Sequence, residues 1–354
     1  MLFDILIVCN INYIIHTIHR INLNSEECMN KNIEYIGIDH GNYQMKTVNS
    51  ISKSAILERT SAPGERGKLD NVLVYKNKYY QLKTEAELSK TDKTDNEKYY
   101  ILTLISLAKE INARNMDPMN SEVRLSIGMP PGYYNEQKAL KWRQYLTKSN
   151  PVNFSYDNVD YRVVIDGVDV YMQGLGTLMF TDADIANDVD NDFVLVDIGG
   201  GTTEIVAVSE GVFVPDKILS ISSGIYKLGL KIKKELERAL DDTPAVSVDR
   251  ILKIIRKYPD GDQKFRNNEI NKAIMEQAEI IFNDFSDEIL TNISNIDMDP
   301  KIVPVLLSGG GSSYLYPYLK DAVYELYTEP DVKANAAGYE RISKFAYTDK
   351  DNNE

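Results

Sequence analysis

The residue types best suited to chemistry stand together in residues 196–205, "VDIGGGTTEI", where a charge and three glycines interrupt an apolar sequence. An aspartate at the end of a buried strand points beyond the sheet edge, and glycines let backbone amides approach a ligand closely. A run of such amides forms a concave site for an anion. Phosphate beside a carboxylate calls for a divalent cation, usually Mg²⁺ held partly through water. The segment predicts a phosphate-binding hairpin with Asp197 as metal partner, although a glycine-rich turn without a ligand has the same composition.

A shorter pattern of the same kind stands in residues 37–46, "GIDHGNYQMK". Asp39 follows the end of an apolar strand, Gly41 and Asn42 make a turn, and Lys46 returns on the next strand. A carboxylate, turn amides and a cation again suit a phosphate. Taken alone, the pattern also fits an ordinary hairpin.

A third glycine-rich segment, "LLSGGGSSYL", lies between a predicted strand and a predicted helix. Backbone at Gly309, Gly310 and Gly311 can lie against a flat base or sugar, and a helix N-terminus favours negative charge. The spacing is not that of a Rossmann dinucleotide motif. The sequence "GERGK" at 64–68 also lacks the spacing of a Walker A loop.

The elements that must position these residues follow one order twice. A strand, an aspartate, a glycine turn and a strand are predicted over 33–51 and again over 193–208. A hairpin is predicted around Lys76-Asn77, a strand–turn–strand over 162–174, and a strand over 212–220. Helices are predicted over 97–115, 135–147, 174–180, 224–240 and 268–292, with an acidic linker over 181–192. The repetition indicates a duplicated α/β domain with a cleft between its halves.

Composition narrows the class of protein. The chain has 354 residues with 43% hydrophobic residues, which suits about two domains. The formal net charge is −13, which argues against direct nucleic-acid binding through a basic surface. Only two cysteines are present, and metal-binding spacings such as CxxC and HExxH are missing, so a zinc site is not expected. Few cysteines fit a reducing cytoplasm.

The first 28 residues differ from the rest, with both cysteines and an apolar run interrupted by polar residues. They lack the basic start and cleavage site of a signal peptide, and Asn10, Asn12 and His16 break any membrane span. Met29 opens a sequence that reads like a natural bacterial start. Residues 1–30 are therefore expected to be an extension outside the fold, with a weak interfacial anchor as the alternative and no membrane partner expected.

The order of the three glycine-rich motifs resembles the actin, Hsp70 and sugar-kinase ATPase superfamily over about residues 33–345. Within it, "LSIGMPPGYY", "VYMQGLGTL" and "KANAAGYERI" resemble segments of the bacterial plasmid-segregation actins of the ParM/StbA type, with Ala337 where arginine is common. The resemblance implies an α/β, duplicated actin-like (ribonuclease H-like) fold with two domains around a nucleotide cleft. Domain I would span 31–190, with a C-terminal helix at 335–350 returning to it, and domain II would span 191–334.

The resemblance also implies a Mg²⁺–ATP site with roles for single residues. Asp39 and Asp197 would hold the water shell of the metal, and Gln173 would orient the attacking water. An amide can align a water without taking its proton, which suffices where catalysis is mostly positioning and charge stabilisation. The phosphates would contact Gly41, Asn42, Tyr43, Lys46, Gly199, Gly200, Gly201, Thr202 and Thr203, and the adenosine would lie against Gly309, Gly310 and Gly311.

Several functions share this architecture. A sugar kinase would need a substrate-recognition insert and an aspartate base, and an Hsp70 would need a C-terminal peptide-binding domain; neither is evident in the sequence. The expected function is an ATPase that polymerises into filaments and segregates plasmid DNA through a DNA-bound adaptor protein. The alternatives are an MreB-like cell-shape filament, a small-molecule kinase, and an actin-like scaffold that binds nucleotide without turnover.

Overall fold

The computed structural model describes residues 33–61, 70–85, 88, 92–181, 192–239 and 246–351. The expected N-terminal extension and most of the acidic linker lie outside the described residues. The described chain divides into two compact units. Unit 1 holds the residues up to 181 together with those from 332 onwards, and unit 2 holds residues 192–331.

The described part of unit 1 is built on a nine-stranded sheet and four α-helices. The strands are β1 (Glu34–His40), β2 (Gln44–Thr47), β3 (Ile51–Lys53), β4 (Ile56–Arg59), β5 (Val72–Tyr75), β6 (Lys78–Leu82), β7 (Ser121–Met129), β8 (Val152–Tyr156) and β9 (Val159–Met172). The helices are α1 (Lys98–Ala113), α2 (Glu136–Leu146), α3 (Leu175–Phe180) and, at the end of the chain, α9 (Ala334–Asp351). Strands β1, β7 and β9 are parallel neighbours, so their carboxyl ends meet at one edge.

The sheet of unit 1 curls until its two ends meet. Its strand order is β3-β2-β1-β7-β9-β8-β5-β6-β4, yet the outermost strands β3 and β4 are joined by Ser54 and Ala55 alone. Nine flat strands would span about 38 Å, since neighbouring strands lie about 4.8 Å apart. The step from Lys53 to Ile56 covers at most about 11 Å. Ser54 and Ala55 are both fully buried where the two ends come together.

Helix α1 lies within this curl, and its mostly apolar residues from Tyr99 to Ala108 are buried on all sides. It contacts β1, β2, β5 and β8, which belong to both halves of the sheet. A helix that is apolar all round is one that is buried all round. Its buried residues are Tyr99, Tyr100, Ile101, Leu102, Thr103, Leu104, Ile105, Ser106, Leu107, Ala108, Glu110 and Ile111.

Helix α9 packs on β1, β7 and α3 at backbone distance. A Cβ on Gly37 would overlap the carbonyl oxygen of Ala336, and one on Gly338 would overlap the carbonyl oxygen of Gly176. Glycine is therefore required at position 37 on β1 and at position 338 on α9. The Arg114 guanidinium adds an ion pair of 2.7 Å between its Nη2 and Oε2 of Glu340 on α9.

Unit 2 carries a five-stranded sheet in the order β12-β11-β10-β13-β14. The strands are β10 (Phe193–Ile198), β11 (Thr203–Ser209), β12 (Val212–Ile221), β13 (Val305–Ser308) and β14 (Leu326–Thr328). The helices are α4 (Ile225–Ala239), α5 (Val248–Lys257), α6 (Gln263–Arg266), α7 (Glu269–Asn295) and α8 (Ser312–Leu319). The central strands β10 and β13 are buried along their whole length, as expected for parallel neighbours with both faces covered.

The hairpins and helices predicted from the sequence are confirmed, including the turn at Lys76-Asn77, where both residues have positive φ. The turn predicted within residues 162–174 is wrong, because β9 runs through Asp166 and Gly167 without a break. Ile165 pairs with Val123 and Gly167 pairs with Arg124, so Asp166 is the extra residue of a β-bulge. Its carboxylate accepts a hydrogen bond of 2.9 Å from Nη1 of Arg124.

The sequence analysis did not predict β8, β14 or α5, which are short or lie between longer elements. In the part of the chain that the structure describes, none of the helices combines the length and apolar character needed to cross a bilayer.

Candidate functional site

The carboxyl end of β10 places Asp197 in the middle of the sheet of unit 2. Asp197 is 2% exposed and lies in register with Glu204 on β11 and Ser308 on β13. In a sheet with parallel neighbours, the carboxyl ends of the strands are the usual place for a ligand. The structure therefore brings a carboxylate to the expected edge.

The glycine hairpin beyond Asp197 is held by its own backbone and by α4. The amide of Gly199 donates to the carbonyl of Thr202 at 2.9 Å. The amides of Ile225 and Tyr226, at the start of α4, donate to the carbonyls of Gly199 at 2.9 Å and Gly200 at 3.0 Å. These bonds fix the turn on the positive end of the α4 dipole, an arrangement that favours an anion nearby.

Two amides of this turn remain available for a ligand. Within the described residues, the amides of Gly200 and Gly201 donate no backbone hydrogen bond. Thr203, predicted to contact phosphate, is fully buried, and its hydroxyl donates to the carbonyl of Ser223 at 2.9 Å. The structure thus offers backbone amides to a phosphate, while the Thr203 hydroxyl stabilises the base of the hairpin.

The second glycine segment of unit 2 packs against the same strand end. Gly309 has φ of +81°, and a Cβ there would overlap Oδ1 of Asp197. The amide of Gly311 donates to the carbonyl of Ile198 at 2.8 Å. At Gly310, by contrast, a Cβ would meet no described atom within 4 Å. The segment fixes Asp197 from one side and leaves an open surface at Gly310, where the sequence predicts adenosine.

The first hairpin of unit 1 repeats the aspartate but changes its surroundings. Asp39 is 5% exposed and lies in register with Lys46, whose Nζ is 2.9 Å from Oδ2 of Asp39. Lys46, predicted to contact phosphate, is therefore paired with the predicted metal-shell carboxylate. Since both side chains are largely buried, the pair also stabilises the hairpin.

Side chains from other elements support the turn of this hairpin. The hydroxyl of Ser54 donates to the carbonyl of Gly41 at 2.6 Å. The remaining supports are Tyr99, whose hydroxyl donates to Oδ1 of Asn42 at 3.3 Å, and Lys53, whose Nζ donates to the hydroxyl of Tyr43 at 2.6 Å. The charge of Asp39 and burial both raise the pKa of Tyr99, burial being the larger cause. Each predicted turn residue is thus held by a side chain from elsewhere in unit 1.

His40 lies beneath the hairpin and was not among the predicted site residues. Its Nε2 is 2.8 Å from Oγ1 of Thr103, and the Thr103 hydroxyl donates to the carbonyl of Tyr99 at 2.7 Å. Because the Thr103 hydroxyl donates to Tyr99, Nε2 of His40 carries the proton of the hydrogen bond between the ring and that hydroxyl. Burial, with help from the Lys93 ammonium, lowers the pKa of His40 from 6.5 to about 3. The one signal in the sequence was a histidine at the end of a buried strand.

Gln173 follows directly after β9, at the sheet edge where β1 also ends. The backbone amide of Gln173 donates to the backbone carbonyl of Met129 at 2.6 Å. The next residue, Gly174, has φ of +91° and begins α3. Oδ1 of Asn335 on α9 accepts from the amides of Gly174 at 3.0 Å and Thr177 at 3.2 Å. Asn335 stands in the segment "KANAAGYERI", but its contact with α3 was not predicted, because the two lie more than 150 residues apart in the chain.

Each unit supplies one carboxylate that suits a metal held through water. Asp39 and Asp197 each supply carboxylate oxygens, which Mg²⁺ prefers. Across the described ranges there is no cluster of three or more histidine, cysteine, aspartate or glutamate residues. Mg²⁺ usually keeps several waters and takes one or two carboxylates, so Asp39 in unit 1 and Asp197 in unit 2 are each suited to hold it through water.

Comparison with known protein families divides the chain into two matched segments. The model of the N-terminal domain of actin-like proteins matches residues 37–176. The model of the C-terminal domain of the MreB-like archaeal actin homologue matches residues 195–321. No curated protein matches the chain in sequence.

Solved structures of similar fold cover most of the chain at low sequence identity. The apo pSK41 ParM protein has a TM-score of 0.65 and 15% identity, covering 91% of this chain and 100% of its own. The archaeal actin homologue Ta0583 in complex with ADP has a TM-score of 0.67 and 15% identity, with coverages of 88% and 99%. A ParM from a 15-stranded filament of Clostridium botulinum has a TM-score of 0.66 and 19% identity, with coverages of 89% and 99%.

Proposed function

We propose that this chain, which belongs to the actin-like proteins and has their two-domain fold, hydrolyses ATP and polymerises into filaments whose lifetime depends on that hydrolysis. The observation that carries the proposal is the strand end of unit 2. There Asp197, two available turn amides and the α4 N-terminus come together with a glycine that has positive φ. This combination suits a phosphate with a divalent cation, and a structural turn has no need of it.

In the proposed reaction, water attacks the γ-phosphorus of ATP, and ADP and phosphate leave. The amides of Gly200 and Gly201 bind phosphate oxygens, and the α4 dipole stabilises their negative charge. Asp197 and Asp39 would each hold the water shell of Mg²⁺, which would neutralise charge on the phosphates. Gln173 orients the attacking water through its side-chain amide. Catalysis by positioning and charge stabilisation needs no strong base among these residues.

Assembly into filaments is supported by the fold, since a ParM of the same fold has been solved as a filament. The biological role that we propose is segregation of plasmid DNA in the cytoplasm, through a DNA-bound adaptor protein. A net charge of −13 fits a filament that reaches DNA through an adaptor. The match of unit 2 to an MreB-like domain favours a second candidate, a cytoskeletal filament without a DNA adaptor.

Light scattering and negative-stain microscopy with Mg²⁺ and ATP, ADP or no nucleotide test the proposal. We expect assembly with ATP and weaker assembly with ADP. Gln173→Ala should bind ATP and assemble, but its filaments should outlast those of the wild type. A loss of about a hundredfold in hydrolysis corresponds to about 2.7 kcal/mol of barrier. Equal filament lifetimes, or no assembly with any nucleotide, would contradict the proposal, and ADP release that depends on a sugar would favour the kinase.

Plasmid stability separates the two biological roles. If the gene is deleted from its replicon, loss of that replicon from dividing cells supports segregation. A change of cell shape with stable inheritance supports the cytoskeletal candidate.

A further inference from the structure

Helix α3 is a six-residue helix whose two ends are both held by α9. At its N-terminal end, Oδ1 of Asn335 accepts from the amides of Gly174 and Thr177. At its C-terminal end, Nη1 of Arg341 donates to the carbonyls of Met179 at 3.2 Å and Phe180 at 3.4 Å. Isolated helices shorter than about 12–15 residues are marginal in water, so the position of α3 depends on α9.

The contact at the N-terminal end leaves little room for adjustment. A Cβ on Gly176 would overlap the carbonyl oxygen of Asn335, and one on Gly338 would overlap that of Gly176. Asn335 is 5% exposed, so water competes little for its side-chain oxygen Oδ1. The side chain of Asn335 therefore sets where the first turn of α3 begins.

Gln173 lies at the junction that Asn335 controls. The backbone amide of Gln173 donates a hydrogen bond to the carbonyl of Met129 on β7. The backbone amide of Gly174 donates one to the side chain of Asn335. The backbone on either side of the Gln173 side chain is thus fixed once by the sheet and once by α9. The positive φ of Gly174, which glycine adopts readily, lets the chain turn from β9 into α3 at this junction.

We infer that Asn335 is a positioning residue for Gln173. It holds the junction between β9 and α3, and so determines where the Gln173 amide can place a water. The inference rests on the proposed role of Gln173 in hydrolysis. A displacement of about 1 Å in such a group can lower a rate by about a hundredfold.

The test compares Asn335→Ala with Asn335→Asp in the full chain. Alanine removes the acceptor, whereas aspartate keeps an oxygen at the same place and suits a helix N-terminus. Arg341→Ala is the matched control, because it weakens the far end of the same helix. The measurements are phosphate release in a single turnover at saturating ATP and Mg²⁺, affinity for a fluorescent ATP analogue, and thermal unfolding.

We expect Asn335→Ala to lower the single-turnover rate by about tenfold to a hundredfold while affinity changes by less than about threefold. Asn335→Asp should recover most of the rate, and Arg341→Ala should lose stability without that loss of rate. The decisive arm repeats Asn335→Ala in a Gln173→Ala background. There it should lower stability again but add almost nothing to the loss of rate, since residues that act as a unit are not additive.

Equal losses of rate in both backgrounds would overturn the inference and leave the proposed function intact. A folded Asn335→Ala protein with the wild-type rate would do the same. If the wild-type chain hydrolyses no nucleotide, the proposed function itself fails, so the two failures are distinguishable.

Discussion

The two aspartate hairpins have the same order of elements but differ in what holds them. In unit 1, the turn after β1 is supported by side chains from β2, β3, α1 and the β3–β4 link, and Asp39 forms an ion pair with Lys46. In unit 2, the turn after β10 is supported mainly by backbone, through the carbonyls that α4 binds and the close approach of Gly309, and its base by one side-chain bond from Thr203. Asp197 thus lies against a glycine where Asp39 lies against a lysine.

This difference shows that a duplicated backbone can keep its geometry by two physical routes. Side-chain support can be altered one group at a time, and it brings titratable groups close to the site. Backbone support tolerates few changes where an added Cβ would meet main-chain atoms, as at Gly309, where it would lie 2.6 Å from the carbonyl oxygen of Ile198. Substitutions at the hairpin of unit 2 should therefore act mainly through Gly309, whereas those at the hairpin of unit 1 should act through polar side chains as well as through Gly41.

The largest effect is expected for Gly309→Ala. The added Cβ would overlap Oδ1 of Asp197, and the residue would have to keep a φ of +81°. Strain and overpacking together should lower the free energy of unfolding by about 3–5 kcal/mol and abolish nucleotide binding. Denaturant unfolding measures the first and a fluorescent nucleotide the second. Gly310→Ala is the matched control and should leave stability nearly unchanged; equal losses in both variants would argue against backbone support.

The second comparison replaces each aspartate with asparagine. Asp197→Asn should lower hydrolysis by about a hundredfold, about 2.7 kcal/mol of barrier, because the metal loses a charged partner. Asp39→Asn should also lower stability by about 1–3 kcal/mol, since Lys46, 12% exposed, loses its carboxylate partner. Steady-state phosphate release measures the loss of hydrolysis in both variants. Thermal unfolding measures the additional loss of stability that is expected for Asp39→Asn. A fully stable Asp39→Asn protein would show that the ion pair contributes little.

The third comparison uses the pH dependence that His40 gives to unit 1. The unfolded chain binds a proton at His40 below about pH 6.5, whereas the folded chain stays neutral until about pH 3. Stability is therefore complete above pH 6.5 and falls as the pH decreases, by about 1.4 kcal/mol per unit for one proton. Between pH 6.5 and 5 the loss should be about 2 kcal/mol more than in His40→Gln.

Trp142 provides the measurement for this prediction, because it is the only tryptophan of the chain and its ring lies 4.9 Å from that of His40. Denaturant unfolding followed by its fluorescence reports on unit 1. Other histidines are shared by wild type and variant and cancel in the difference. Parallel pH profiles for the two proteins would show that His40 is protonated in the folded state.

The smallest effect is expected for two serines that donate to glycine carbonyls. Ser54→Ala removes a buried bond to Gly41 and should cost about 1 kcal/mol. Ser312→Ala removes a bond of 2.8 Å to Gly309, whose carbonyl also accepts from the Ser312 amide at 3.2 Å. The cost should be smaller, because that carbonyl keeps a donor. Thermal unfolding of both variants tests the order, and a larger loss for Ser312→Ala would reverse the comparison.

The sequence predicted the elements around the site because their signals are local. Alternating or continuous apolar residues and glycine turns define β1, β2, β10 and β11, and the order of the motifs indicated the fold. The turn at Asp166 failed because "DG" is also a local signal, and here the long-range pairing of β9 with β7 overrides it. The roles of the individual site residues remain predictions.

The sequence did not predict which distant residues contact one another. The pairing of Lys46 with Asp39 depends on register, and the support of α3 by Asn335 joins residues on separate elements far apart in the chain. The curl of the sheet in unit 1 depends on β5 pairing with β8, which nothing near either strand encodes. Such features depend on tertiary packing, which a single sequence read in short windows does not contain.

The two-residue link between β3 and β4 has a kinetic consequence for α1. The strands around this helix form a ring that Ser54 and Ala55 close covalently, and the residues from Tyr99 to Ala108 are all buried, so solvent should reach the middle of the helix backbone only when a strand ladder opens. Its amide protons should exchange with deuterium only as fast as unit 1 unfolds as a whole, while amides of the exposed strand β4 exchange through local opening. The ring also gives unit 1 many contacts between distant parts of the chain, so unit 1 should fold slowly, with α1 in place before the ring closes.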